Sequence, residues 1–309
     1  MIYRPIFRHR ILGWSLFLPT LVILLMFLYY PVVQSLVLST YRSNLLLGTR
    51  AFIGLENYEA IFFGPQAPAF WQATVQTIVF AVLVTGPGVA LGMILATIAA
   101  KPVTGGRFYR ILLIWPFALS PAIAGTIFLF MFNPEVGVVN QILSSLFGIK
   151  PRWLDDPTLA FGVAVSAAIW KNLGYNIVFY LAALQNVPKS MGEAAEIDGA
   201  GGVTRFFRIT VPLLSPTTFF LVFTNLAYSF FNVFGLIDIL TAGGPIGRGI
   251  ADNTGVTTTL IVKIFRDGFG GSSNLGLAAA QGVILMIIAV SMTVTQFRLG
   301  RRGVHYEGA

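Results

Sequence analysis

Cysteine is absent from all 309 residues, and histidine occurs only twice, as His9 and His305 in the tails. Without thiols there is no disulfide framework, no thiolate metal site and no cysteine nucleophile. With both histidines in the tails, no histidine-based catalytic or metal centre can form inside the chain. Charge is scarce too. Only 10% of residues are Asp, Glu, Lys or Arg, against about 25% in an ordinary soluble domain. The sequence also lacks a Walker-type phosphate loop, so it carries no nucleotide cradle of its own. No stretch between its apolar runs is long enough to build a soluble core.

What remains is mostly apolar. Hydrophobic residues make up 56% of the chain and the mean hydropathy is +0.78. This composition excludes disorder and soluble globular folds and calls for lipid. Six nearly charge-free runs stand at 11–33, 78–100, 111–132, 158–185, 213–237 and 275–297. Each is long enough for a bilayer helix, which takes about 20 residues. An all-α polytopic membrane protein with six crossings is expected. The first run exceeds the roughly 7–15 residues of a signal-peptide core, so it reads as an uncleaved anchor.

The net charge of +8 finds its explanation in topology, not in nucleic acid. With the N-terminus inside, segments 1–10, 100–110, 186–212 and 298–309 hold 12 of the 20 Lys and Arg. The longer outer loops, 39–70, 133–157 and 241–275, hold 7. Basic residues concentrate on the cytoplasmic side of membrane proteins, so both termini are expected there. The organisation follows: a tail over 1–10, a first helix over 11–35, a five-helix membrane domain over 71–298 and a tail over 299–309. Seven acidic residues balance the seven basic ones outside, so the outer face offers no electrostatic steering.

The runs are not plain anchors. Pro19, Pro31, Pro87, Pro116, Pro121 and Pro216 lie in or near them, and proline kinks a helix that neighbours must then repair. Gly86-Pro87-Gly88 is expected to break the second run. Gly88 and Gly92 form a GxxxG, which permits close helix approach. Lys171 sits within the fourth run, where a central lysine costs about 2.5–3.5 kcal/mol unless it is partnered or wetted. Lys171 with Tyr175, and Asn172 with Asn176, stand four apart and form one polar face. The fifth run adds Asn225, Tyr228 and Asn232, with Asp238 near its outer end. These residues line a substrate path in one reading, with Lys171 as counter-charge to an anion. In the other they bond helices together, through neighbouring carbonyls or Asp238.

The longest inner segment, 186–212, reads NVPKSMGEAAEIDGAGGVTRFFRITVP. Ser190 and Glu193 have the spacing of a capping box. A helix is expected through Ile197, stopped by Asp198-Gly199. A second amphipathic turn then carries Arg205 and Arg208 on one face and Phe206, Phe207 and Ile209 on another. The aromatic residues are exposed unless something covers them. The segment either lies on the bilayer with its phenylalanines among the headgroups or docks a partner.

This segment resembles the EAA loop of permease subunits of ATP-binding-cassette importers. EAAEIDGAG is followed, nine residues after Gly199, by Ile209 and then by Val211-Pro212 where that pattern has Leu-Pro. The resemblance runs over residues 10–300 and is strongest to the sugar-type branch, in particular to its glycerol-3-phosphate permeases. GRFYRILLIWPFALSPAIAG, WKNLGYNIVFYLAALQNVPKS, GGP and TTTLIVKIFRDGF carry the narrower match. It implies the type-I importer fold, a second permease as heterodimer partner, an ATPase dimer holding ATP and Mg, and an external substrate-binding protein. It also implies a bacterial or archaeal cytoplasmic membrane. Glu193, Ala194, Ala195, Asp198 and Gly199 fall on the motif, and Arg205, Phe206, Phe207 and Arg208 on the coupling segment. The chain itself would have no catalytic residue, cofactor or metal. The expected cargo is sn-glycerol-3-phosphate or a glycerophosphodiester, with a disaccharide as the alternative. An ion-coupled secondary transporter is the rival of another class, although such proteins place acidic residues at midplane sites. A membrane scaffold is the third, set against the polar, kinked helices.

Overall fold

The computed structural model describes residues 10–102, 104–246, 254–270 and 273–300. Residues 1–9 and 301–309 of the expected tails lie outside these, with both histidines. Apart from one hairpin and two isolated bridges, the described residues are helices and their connections. They form two compact units, residues 1–66 with 264–284, and residues 67–263 with 285–309.

In the first unit, α1 (Trp14–Leu38) crosses a bilayer by length and apolarity, extending past the expected end. A π-helical turn at Leu25–Tyr29 lies between Pro19 and Pro31. The hairpin follows, β1 (Tyr41–Asn44) antiparallel to β2 (Thr49–Phe52), with Tyr41 opposite Phe52. Asn57 on α2 (Glu56–Phe62) donates to the carbonyls of Ser39, at 2.8 Å, and Tyr41, at 3.0 Å. These bonds tie α2 to the start of the hairpin. Two later helices, α12 (Leu260–Phe269) and α13 (Leu275–Gly300), contribute to both units. Within the first, Gln281 Nε2 donates to Asp267 Oδ2 at 2.6 Å.

The second unit holds α3 (Ala67–Ala99), α4 (Gly106–Ala118) and α5 (Pro121–Met131). Then come α6 (Val138–Phe147), α7 (Pro157–Leu184), α8 (Lys189–Ile197), α9 (Gly202–Leu213), α10 (Ser215–Asn232) and α11 (Phe234–Thr241). Asp156 starts α7, accepting from the N–H groups of Thr158 and Leu159 at 2.9 Å, with Pro157 at the first helical position. One core packs Phe80, Val84, Ala164, Leu236 and Ile237. The other packs Val89, Met93, Ile177, Tyr180, Leu214 and Leu221.

Three expectations about the apolar runs need correction. The run at 111–132 is not one helix but α4 and α5 meeting at 104°. Leu119 and Ser120 are extended because a residue before proline is driven from helical geometry, and Ser120 then caps α5 by accepting from Ile123 N–H. Conversely, Gly86-Pro87-Gly88 does not break α3, which stays helical for 33 residues. Apolar surroundings offer a freed backbone no water, so helix persists there even through proline. The run at 213–237 also divides. α9 meets α10 at 71°, and α11 takes the remainder.

Among the described residues three helices are long and apolar enough to cross a membrane, α1, α3 and Leu275–Arg298 of α13, and the two bent pairs raise the number to as many as five. A sixth requires α7, which is 28 residues long but interrupted by Lys171, Asn172 and Asn176.

α3 packs closely on α7 at one of its two motif glycines. A Cβ on Gly92 would lie 2.6 Å from the Cβ of Asn176, whereas one on Gly88 would sit 3.7 Å from the flexible Asn176 amide. The two glycines of the GxxxG are therefore unequal. Gly92→Val is expected to cost about 1–3 kcal/mol through overpacking, and Gly88→Ala to be tolerated. Thermal unfolding of the two purified variants in detergent checks the contrast.

Candidate functional site

The segment 186–212 folds as two helices joined at a sharp turn. Gly199 has φ +80°, and its N–H donates to Glu196 O at 3.0 Å while Ala200 N–H donates to Ala195 O at 2.8 Å. This pair of bonds is a Schellman motif, which needs a left-handed residue after the helix. A Cβ at Gly199 would meet nothing within 4 Å, so backbone conformation alone demands glycine there. The expected capping box is absent. α8 starts two residues early, with Pro188 as N-cap and no side-chain cap. Ser190 therefore lies inside the first turn, and Glu193 is exposed.

The second helix, α9, is longer than the turn expected from sequence and includes a π-helical stretch, Phe206–Thr210. Arg205 Nη1 bonds Glu196 Oε2 at 2.9 Å and lies 3.5 Å from Gly192 O, clamping α9 to α8. Sequence reasoning paired Arg205 with Arg208 and overlooked Glu196, nine residues back. Arg208 is exposed. Phe206 is half-buried by this chain itself, packing on the core around Ile177 and Leu214, so part of the cover that the sequence left open comes from within. Phe207 is 64% exposed, Ile197 87% and Val203 73%, so the joint keeps an uncovered apolar edge. Ala195 is half-buried; Ala194 and Asp198 are exposed.

Deeper in the second unit, three asparagines meet. Asn172 Nδ2 donates to Asn225 Oδ1 at 2.7 Å, and Asn225 Nδ2 donates to Asn176 Oδ1 at 2.7 Å. Asn176 Nδ2 reaches Asn225 Oδ1 at 3.3 Å and Gly88 O at 3.0 Å, and Asn225 Nδ2 also donates to Leu221 O at 2.8 Å. All three are buried. The cluster joins α3, α7 and α10. Its geometry is that of helix-to-helix bonding, the second of the two sequence readings. The signal for it was the i,i+4 pair of amides on α7. Their partner Asn225 was visible only as one more polar residue.

Lys171 points elsewhere. Its Nζ bonds Phe117 O at 3.2 Å, at the end of α4. It also lies 4.7 Å from the Phe117 ring centre and 6.0 Å from that of Tyr228. No carboxylate, Asp238 included, pairs with it among the described residues. Lys171 is only 6% exposed, so its cation rests on one carbonyl and two ring faces. The hydroxyl of Tyr228 is buried without a hydrogen-bond partner. Tyr175 packs on Phe117 and Phe179 at ring separations of 5.3 and 4.7 Å. Asn232 is exposed and apart from the cluster. The polar face expected on α7 is thus two sites, an amide junction and a lone cation near an orphan hydroxyl.

Sequence reasoning also missed a threonine lattice after α11. Thr257 donates to Gly244 O at 2.9 Å and Thr258 to Gly243 O at 2.8 Å. Leu260 N–H donates to Thr77 on α3 at 2.7 Å, and Gln72 to Thr254 O at 3.1 Å. The Thr-Thr-Thr string was the available signal. Among the described residues no group of His, Asp or Glu could hold a metal.

Residues 88–303 match the pattern of the binding-protein-dependent transport system inner membrane component. The sn-glycerol-3-phosphate transport system permease protein UgpA of Pectobacterium atrosepticum is 39% identical over 304 residues, covering 98% of this chain and 99% of its own. The proteins of the same name from Salmonella choleraesuis and Agrobacterium fabrum are 40% identical, over 99% and 97% of this chain and 99% and 98% of their own. A solved bacterial alginate ABC transporter, in complex with an alginate pentasaccharide-bound periplasmic protein, has a chain of the same fold. The TM-score is 0.78 at 22% identity, covering 94% of each chain.

Removing the hub of the amide junction should be costly. Asn225→Ala is expected to destabilise the protein by about 1–2 kcal/mol, while Asn232→Ala should stay within about 0.5 kcal/mol of wild type. Thermal unfolding in detergent reads both.

Proposed function

The chain belongs to the binding-protein-dependent transport system inner membrane component family, and from that premise we propose that it is the permease subunit of an ATP-driven importer of sn-glycerol-3-phosphate or a glycerophosphodiester. It crosses the cytoplasmic membrane six times with both termini inside, α7 supplying the sixth span. Residues 11–35 form its first helix, and 71–298 the membrane domain. It pairs with a second permease, two ATPase subunits carrying ATP and Mg bind beneath, and an external binding protein delivers cargo. The chain performs no covalent chemistry.

The observation that carries this reading is the folded form of 186–212. The family motif falls on a clamped pair of helices, α8 and α9, joined at Gly199, with Ile197, Val203 and Phe207 exposed along one edge. Apolar side chains left bare at a rigid joint suit a groove on another protein better than water. Glu193, Ala194 and Ala195 lie on the docking helix. Asp198 and Gly199 make its turn, Arg205 clamps α9 to it, Phe206 braces the pair against the spans, and Phe207 and Arg208 stay exposed for the partner. ATP binding closes the ATPase pair, the joint moves with it, and the spans alternate between outward and inward opening.

The cargo reading draws on the near full-length similarity to glycerol-3-phosphate permeases and on Lys171. A buried cation with no carboxylate partner favours an anionic cargo, since a phosphate oxygen would replace the weak carbonyl and ring contacts it has now. The unpartnered Tyr228 hydroxyl is positioned to donate to the same anion. Asn172, Asn176 and Asn225 frame this path by holding α3, α7 and α10 in register, with Tyr175 and Asn232 at its margins.

Three outcomes test the reading. A tagged chain should co-purify with an ATP-binding-cassette ATPase, and its purification alone from the native membrane would sink the importer assignment. Gly199→Val, strained by about 1–2 kcal/mol in the left-handed region, should insert normally but lose transport-stimulated ATP hydrolysis; normal coupling would refute the role of the joint. Lys171→Met should lower glycerol-3-phosphate uptake by about tenfold or more, the worth of a charge-assisted hydrogen bond. Unchanged uptake would end the counter-charge role.

A further inference from the structure

Behind the α8–α9 joint lies an open cleft of about 480 Å³. Three features of its wall favour an anion. Lys101, just past the end of α3, borders it, and its ammonium makes no hydrogen bond or ion pair among the described residues. Arg205 borders it as well, with one nitrogen engaged by Glu196. Gly202, the first residue of α9, is the third. Its N-cap is Gly201, which has no side chain to cap the helix, so this positive helix end stays open to an anion. Much of the remaining wall is apolar, with Leu184, Val187, Phe206 and Ile209.

We propose that this cleft binds a phosphate group carried by the headgroup of an anionic phospholipid. The ligand chemistry is a phosphodiester or phosphomonoester, and two features of the cleft favour the lipid over a soluble ester. The cleft opens where a 33-residue apolar helix ends, which is headgroup level for a spanning helix. Its apolar wall also suits a glycerol backbone and the upper acyl chain better than it suits a hydrated ion. Arg107 and Arg110 follow within the same short acid-free stretch, and basic pockets between spans on the cytoplasmic side select anionic headgroups. The placement rests on the proposed cytoplasmic orientation. A headgroup here would share Arg205 with Glu196, so lipid composition would act on the clamp that holds α8 to α9.

Native mass spectrometry of the protein as purified in detergent from its native membrane, with any subunits it retains, tests this without reference to transport or orientation. The probes are phosphatidylglycerol and phosphatidylcholine with the same acyl chains, titrated separately. Wild type is expected to retain phosphatidylglycerol in preference to phosphatidylcholine. Lys101→Gln should weaken phosphatidylglycerol binding by about fivefold, the size expected for one lysine beside an anionic lipid, and Lys101→Arg should keep it. Equal retention of the two lipids, or undiminished binding in Lys101→Gln, would overturn the site. Displacement of phosphatidylglycerol by millimolar inorganic phosphate would overturn its assignment to lipid. Because the readout is binding, a failed importer assignment leaves this result independent.

Discussion

An amide buried among apolar helices has no water to bond, so it must find another protein group or stay unsatisfied at a cost of several kcal/mol. Asn172, Asn176 and Asn225 meet this constraint by bonding one another and the carbonyls of Gly88 and Leu221. The rest of the second unit depends on that solution. For the amides to meet, α3 must come close enough to α7 that Gly92 has no room for a side chain. The register this sets brings Lys171 to the α4 end of its neighbour and leaves Tyr228 beside it. A hydrophobic interface alone would tolerate sliding, because lipid tails compete with it on equal terms.

The joint at 186–212 answers a different constraint. Where water is available the backbone can turn, and the turn is made by local chemistry: Asp198 ends the helix, Gly199 takes φ +80° and two backbone bonds close the motif. One exposed ion pair, Arg205 to Glu196, is worth little in isolation. Here it is joined by the packing of Phe206 on the inner core, so α9 is anchored while Ile197 and Val203 remain free. The proposed coupling role would use both properties, an anchored inner side and an unfilled outer surface.

Much of this was legible in the residues. The apolar runs set α7 and α13 within a few positions, and α1 and the end of α3 nearly as well, since helix length in lipid follows bilayer thickness and needs no tertiary information; the start of α3, at Ala67 against the expected 78, lay outside its apolar run. The turn at Gly199 and the GxxxG contact were equally readable, being consequences of missing side chains. Two expectations failed where local rules competed. Pro87 suggested a break, but its helix continued because its surroundings could not solvate one. Ser190 and Glu193 had capping spacing, yet Pro188 began the helix two residues earlier. The α4–α5 bend failed differently: Pro116 and Pro121 were noted, but nothing local said which would turn the chain.

By itself the sequence determined that this protein lives in lipid, roughly where its apolar helices lie, and which segment outside them turns on a left-handed glycine. Hydropathy, length and glycine geometry are one-dimensional properties that act within a turn or two of the chain. Tertiary structure decided the division of labour among the polar residues. Asn176 and Asn225, 49 positions apart, were committed to each other, and Lys171 was left with a carbonyl and two rings. No spacing rule contains that outcome, because it depends on which helix faces arrive together in a medium where every unpaired polar atom is expensive.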